Sequence, residues 1–119
     1  MFEKKNKSKS EESVIAIKSN FEGNLKIISP VYLRIEGGFK GELEVKGRLD
    51  IGQEADVEVN FIRADNIMIM GKVKGDIKNC HRLELAPGAM LIGNIETLVL
   101  VVQDGAFFQG RCQVLSKDG

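Results

Sequence analysis

Few residues in this chain could do chemistry, and their spacing decides which chemistry is open to them. The one histidine, His81, stands beside Cys80 and Arg82, where it could serve as a catalytic base or a metal ligand. One histidine and two cysteines, Cys80 and Cys112, are too few donors for a closed metal site, and His81 falls at a junction between repeated units, the place of a surface turn residue. Glu36, Glu42, Glu44, Asp50, Glu54, Asp56 and Glu58 could in pairs be the acid and base of a glycosidase. Their interleaving with Lys40, Lys46 and Arg48 reads instead as a solvated charged face. A sugar groove also wants an aromatic lining, and this chain has one tyrosine, Tyr32, and no tryptophan. The run Gly71-Lys-Val-Lys-Gly75 lacks the Gly-Lys-Ser/Thr ending of a phosphate-binding loop and reads as a tight β-coil. No catalytic residue, metal, cofactor or nucleotide is expected.

All of these residues sit within a repeat. In Leu33-Arg-Ile-Glu-Gly-Gly-Phe-Lys-Gly-Glu-Leu-Glu-Val45, apolar residues alternate with polar ones at Leu33, Ile35, Phe39, Leu43 and Val45, with glycines at Gly37 and Gly41. Period two marks a strand with one buried face. The pattern returns every 16 to 18 residues. A bulky column reads Phe21, Phe39, Val57, Val73, Leu91 and Phe108. Two residues before it stand Ser19, Gly37, Ala55, Gly71, Ala89 and Ala106; two residues after it stand Gly23, Gly41, Val59, Gly75, Gly93 and Gly110. A second apolar column is Leu25, Leu43, Phe61, Ile77, Ile95 and Cys112. Upstream run Ile17, Ile35, Ile51, Ile69, Leu85, Val102 and Ile15, Leu33, Leu49, Ile67, Leu83, Leu100.

Columns that hold through six windings mean stacked units, each with an apolar face that it cannot bury alone. Three short strands per winding wrap into a triangular β-helix, an all-β, single-domain solenoid over residues 14–115. Its windings are Val14 to Asn24, Leu33 to Arg48, Leu49 to Asn66, Ile67 to Arg82, Leu83 to Val99 and Leu100 to Val114. Ile51-Gly52-Gln53-Glu54-Ala55, Leu85-Ala86-Pro87-Gly88-Ala89 and Val102-Gln103-Asp104-Gly105-Ala106 carry two extra residues each, rich in turn formers. A sandwich of the same strands would not lock the columns in register. Ile51-Gly52-x-x-Ala55 is one match to the hexads of left-handed β-helical acyltransferases, so a discrete trimeric enzyme of that kind, or a carbohydrate-binding β-solenoid, is the alternative. An ice-binding array of threonines is excluded, because Thr97 is the only one.

Composition narrows the partners. With 17 basic and 17 acidic residues in 119, the chain shows no electrostatic footprint for nucleic acid. The two cysteines lie about two repeats apart, beyond disulfide reach, and read as reduced thiols. No segment has signal-peptide or membrane-spanning length, which places the chain in the cytoplasm. Residues 1–13 hold Lys4, Lys5, Lys7 and Lys9 and only two apolar side chains, Met1 and Phe2. Such a segment buries too little to offset its ordering entropy and is expected to be a disordered tail, while residues 116–119 are a short C-terminal tail. Its bland role is solubilising. Its sharper role is to dip Met1 and Phe2 into the headgroup region of a membrane with Lys4 and Lys5 over anionic lipid, each lysine contributing about 1 kcal/mol.

Natural solenoids usually carry a cap over each open end, and none is visible here. By register Phe108 points inward and Phe107 outward in the last winding, and Phe21 stands in the first. An uncapped end is a template for another copy, so these three phenylalanines are the candidate polymerisation residues. The Leu33-to-Leu43 run, Gly71-Lys-Val-Lys-Gly-Asp-Ile77, Leu83-Glu-Leu85, Gly93-Asn-Ile95 and Asp104-Gly-Ala-Phe-Phe-Gln-Gly110 together resemble the bactofilins, bacterial cytoskeletal proteins, over roughly residues 14 to 115. The Met-Phe-plus-lysine start is similar to that family's membrane-targeting tail. The resemblance implies a right-handed β-helix that assembles without nucleotide into filaments at the inner face of the cell membrane. There it would scaffold cell-wall or shape-determining proteins. It also implies that a phenylalanine of the last winding, Phe107 or Phe108, is needed for assembly; register favours Phe108.

Overall fold

The computed structural model describes residues 13–115. They form nine strands and, among the described residues, no helix: β1 Ser13–Ile17, β2 Phe21–Ile35, β3 Gly38–Ile51, β4 Asp56–Ile69, β5 Lys72–Leu85, β6 Met90–Ile92, β7 Ile95–Val102, β8 Phe107–Gln109 and β9 Cys112–Val114. Of the tail expected over residues 1–13, residues 1–12 lie outside the described residues, as does the segment 116–119. The ordered β-structure opens at Ser13, one residue ahead of the boundary read from sequence.

Every strand pairing is parallel, each segment bonding the equivalent segment one winding on. This makes a solenoid of about six windings. The bulky column stacks as Phe21 on Phe39, Val57, Val73, Leu91 and Phe108 in turn. The two upstream columns stack the same way, from Ile15 and Ile17 through to Leu100 and Val102. In the interior these side chains are sealed: Leu33, Ile35, Phe39, Leu49, Ile51, Val57, Ile69, Leu83, Leu85 and Leu91 have no exposed surface. Each aliphatic side chain so buried contributes about 1.5–3 kcal/mol.

Three breaks per winding turn the chain. The first falls between the upstream strand and the bulky column. Where the two extra residues are present, the turn closes with Ala55, Ala89 and Ala106 N–H groups donating to Gly52, Ala86 and Gln103 carbonyls at 3.0–3.1 Å. The second is the glycine corner, with φ +135° at Gly41, +147° at Gly75 and +149° at Gly93. A Cβ on Gly41 would lie 1.9 Å from the Gly23 carbonyl oxygen below it, and one on Gly93 would lie 1.9 Å from that of Gly75. Positive φ and close stacking of successive backbones both demand glycine here. The third break is marked by register shifts after Ile27, Val45, Arg63 and Ile77.

Val59 is the exception in the glycine column, and the chain answers it with an extra residue. Gly41 pairs with Val59, but Leu43 pairs with Ile62 rather than Phe61. Valine is a β-branched residue that resists the corner's φ, so the winding turns through a bulge instead. The second apolar column is thereby corrected: Ile62 is the core residue, fully buried between Leu43 and Ile77. Phe61 faces outward, with Arg63 and Lys78 over its ring at 5.6 and 5.4 Å.

The corner predicts its own mutational signature. Gly41→Ala is expected to lower the thermal midpoint by at least about 5 °C, since the conformation alone costs about 1–2 kcal/mol. Gly52→Ala is expected to leave the midpoint nearly unchanged, because φ there is ordinary and the nearest atom would be 3.4 Å away. Calorimetry of the two variants side by side measures the difference; equal midpoints would show that the glycine corner is not tightly held.

Candidate polymerisation interface

The sealed columns lose their cover at both ends. Residues of one column differ only in whether a winding lies on each side. Ile35 and Leu85 have no exposed surface, whereas Val102, at the far end of that column, is 47% exposed. Ile15 heads the neighbouring column at 39%, above the fully buried Leu33. At the N-terminal end Ile17, Phe21, Leu25 and Ile27 pack against the core from one side and stay half-buried; Leu100, Ala106 and Phe108 do so at the C-terminal end. The backbone is equally bare. β1 pairs only with β2, β8 only with β6, and β9 only with β7. Among the described residues nothing crosses either end, which leaves unpaired strand edges beside open apolar columns.

The three phenylalanines are not equivalent. Phe108 continues the bulky column beneath Leu91 and stays half-buried at the C-terminal end. Phe21 opens the same column at the other end, its ring stacked on Phe39 with centroids 5.0 Å apart and planes 12° from parallel. Phe107 points away from the core and is 47% exposed on the flank, paired with Met90 of the winding below. The structure thus brings Phe21 and Phe108 to opposite end faces and puts Phe107 on neither. Ile15, Ile17, Leu25 and Ile27 at one end, with Leu100, Val102 and Cys112 at the other, also form these faces. All but Ile27 belong to the apolar columns of the sequence, and their place in the first and last windings is the signal that marks them as surfaces. Met1, Phe2, Lys4 and Lys5 lie outside the described residues.

The residues that invited a chemical reading are not gathered into a site. Cys80 is buried on an inward position, its sulfur 3.1 Å from the Arg82 carbonyl oxygen, and burial pushes its thiol up to about 11. His81, next along the strand, is exposed. Among the described residues no group of three His, Cys, Asp or Glu side chains could hold a metal. Asp50 departs from the solvated face expected of the carboxylates. It is 6% exposed, accepts the Tyr32 hydroxyl on Oδ2, and accepts Arg48 Nε on Oδ1 at 3.0 Å. Accepting that hydroxyl lifts the Tyr32 phenol above its ordinary range. Arg48 also lies over the Tyr32 ring at 5.0 Å, so the three make a structural brace across two windings.

Comparison with known proteins settles the family. Residues 13–113 match the family model described as bactofilin, polymer-forming cytoskeletal. The chain belongs to the bactofilin family. Bactofilin BacO of Myxococcus xanthus is 30% identical over 86 residues, which cover 72% of this chain and 68% of that protein. Bactofilin BacP of the same organism is 29% identical over 79 residues, 66% of this chain but only 32% of BacP, so the match spans about a third of that protein's length. The Thermus thermophilus bactofilin solved by cryo-EM as double helical filaments superposes with a TM-score of 0.60 at 22% identity, covering 86% of this chain and 94% of that one. Bactofilins are structural proteins, and this chain shares their β-solenoid.

The two cysteines report on the two environments. Both are free thiols, Cys80 buried and Cys112 exposed at the last winding. A thiol reagent at neutral to mildly alkaline pH is expected to modify Cys112 first and to reach Cys80 only on unfolding, because the thiolate is the reactive form. Mass spectrometry of the native protein checks this; modification of Cys80 at a comparable rate would show that the core opens.

Proposed function

We propose that this bactofilin is a filament subunit whose rods stack end to end through their bare terminal windings. One observation carries the reading: columns with no exposed surface inside the rod emerge as open apolar faces at both of its ends. A second copy placed on an end continues the same columns and the same parallel ladder at the usual strand spacing of roughly 4.8 Å. Each contact then repeats what already holds winding to winding, so no nucleotide is required to form it. The filaments reported for the Thermus relative support assembly of this kind.

Further features extend the proposal to a place in the cell. Met1 and Phe2 insert into the headgroup layer of the inner face of the bacterial membrane, and Lys4 and Lys5 lie over anionic lipid. That contact is weak for one subunit and becomes firm along a polymer through effective concentration. The membrane-bound filament acts as a scaffold for cell-shape or cell-wall factors.

Negative-stain microscopy of purified protein without nucleotide is expected to show unbranched filaments; discrete trimers would replace this reading with that of a β-helical enzyme or carbohydrate-binding module. Phe108→Arg is expected to raise the concentration needed for assembly at least roughly a hundredfold, because a charge enclosed at the end face costs several kcal/mol. Filaments that persist unchanged would remove Phe108 from the contact. Deletion of Met1 and Phe2 is expected to release the protein from anionic liposomes in a sedimentation assay while leaving assembly intact. Truncated protein that still pellets with lipid would refute the tail's role.

A further inference from the structure

The flank that bears the outward neighbours of the bulky column has two outward positions per winding, and their chemistry changes in bands along the rod. Asn20 and Glu22 are followed by Gly38 and Lys40, then by the acidic pair Asp56 and Glu58, then by the basic pair Lys72 and Lys74. The last two windings present Met90 and Ile92, then Phe107 and Gln109. The apolar end stands proud, with Phe107 47% exposed. The opposite end of the same flank is hollow. Where Gly38 has no side chain there is a concavity of about 700 Å3, lined by Asn20, Phe21, Phe39 and Lys40 and by the carboxylates of Glu22, Glu54, Asp56 and Glu58.

We propose that this flank binds the same flank of a second copy, the two rods antiparallel about a two-fold axis that lies in the contact, along the strand direction, between the third and fourth windings. Such an axis reverses the order of the windings and keeps each outward column facing itself. Asp56 and Glu58 of one copy then meet Lys72 and Lys74 of the other, twice over. Gly38 meets Met90, Lys40 meets Ile92 and Asn20 meets Phe107, so Met90 and Phe107 of each copy lie over the mixed apolar and charged hollow of its neighbour.

Two observations favour this over charges arranged for the rod's own stability. Along the flank Asp56 neighbours Lys72 and Glu58 neighbours Lys74 across adjacent windings, yet among the described residues only Lys40 and Glu58 come within ion-pair distance, at 3.9 Å. Asp56, Lys72 and Lys74 are exposed and make no ion pair among the described residues. The flank next along the winding lacks this pattern. On the flank that carries Lys26, Glu44, Arg63, Lys78, Glu96 and Gln113, the same operation would set Glu44 against Glu96 and Arg63 against Lys78. Like charges facing one another there would repel.

The contact is sideways and independent of end stacking: loss of the end contact shortens assemblies, whereas loss of this one changes how many rods lie side by side. The test makes one variant acidic through both central bands, Lys72→Glu with Lys74→Glu, and another basic through both, Asp56→Lys with Glu58→Lys. Microscopy and sedimentation at low ionic strength are expected to show two-rod assemblies for the unmodified protein and single rods for either variant alone, with lateral affinity reduced at least about a hundredfold. A one-to-one mixture of the two variants is expected to pair again within about tenfold of the unmodified protein, although each chain still carries its own like-charged bands. Adding Met90→Lys to both is expected to abolish that pairing. Single rods for the unmodified protein, unaffected pairing in either variant, or a mixture that fails to pair would each overturn the proposal. So would a mixture that associates as well with Met90→Lys as without it, which marks unspecific attraction.

Discussion

The structure rests on one constraint: a parallel strand must find its partner one winding away with every residue in register. Backbone N–H and C=O groups buried between windings have no water to turn to, so the ladder must be complete in the interior. Completing it sets side chains of the same column directly on one another at strand spacing. Each column must then tolerate self-contact. Aliphatic residues do so by dispersion and burial, a pair such as Phe21 and Phe39 by stacking, and glycine by leaving room for the backbone above. A residue that fails in its column displaces the ladder rather than a single contact, as Val59 does in forcing a bulge.

Most of the fold was therefore legible in the sequence, because register is written as a period. Three of the six columns read from spacing, the bulky one and the two upstream of it, match the pairing residue by residue, and the small-residue column falls in the turns, where Ala55, Ala89 and Ala106 donate the closing hydrogen bonds. The second apolar column fails at Phe61. A period-two pattern says that one face is apolar but not that an extra residue has turned the phase, and Phe61-Ile62 offers two apolar residues in a row. The burial of Asp50 was invisible for a different reason. Its cover comes from Tyr32, 18 residues earlier, and from Arg48, which is its neighbour on the same face two residues away. Sequence alternation gives the side of the strand, and only neighbouring windings decide how much water that side sees. The end faces were legible as composition, while their membership needed the burial gradient from Leu85 to Val102.

The same constraint explains how a structural protein of this family can do without an active centre. A globular subunit has to build an interface that differs from its interior. In a solenoid the cross-section is already an interface, used about five times between the six windings. Assembly asks only that the end be left open. The brace of Tyr32, Arg48 and Asp50, the sealed Cys80 and the glycine corners are all devices that keep one winding congruent with the next. A rod whose windings drifted out of congruence would present a partner with an end it could not continue.

End and flank differ in what governs them. Stacking at the ends, as proposed, would bury apolar columns and complete a backbone ladder, both weakly dependent on ionic strength. The proposed flank contact has exposed charges at its centre, and attraction between such charges is screened over about 8–10 Å at ordinary salt. Ionic strength would therefore act on the number of rods side by side while leaving their length nearly untouched, and charge-altering modification of Lys72 or Lys74 would do the same. If the end contact forms without a nucleotide cycle, as proposed, subunit concentration would set how far rods grow. The flank then supplies a separate variable, bundle width, controlled by four side chains that the core does not use.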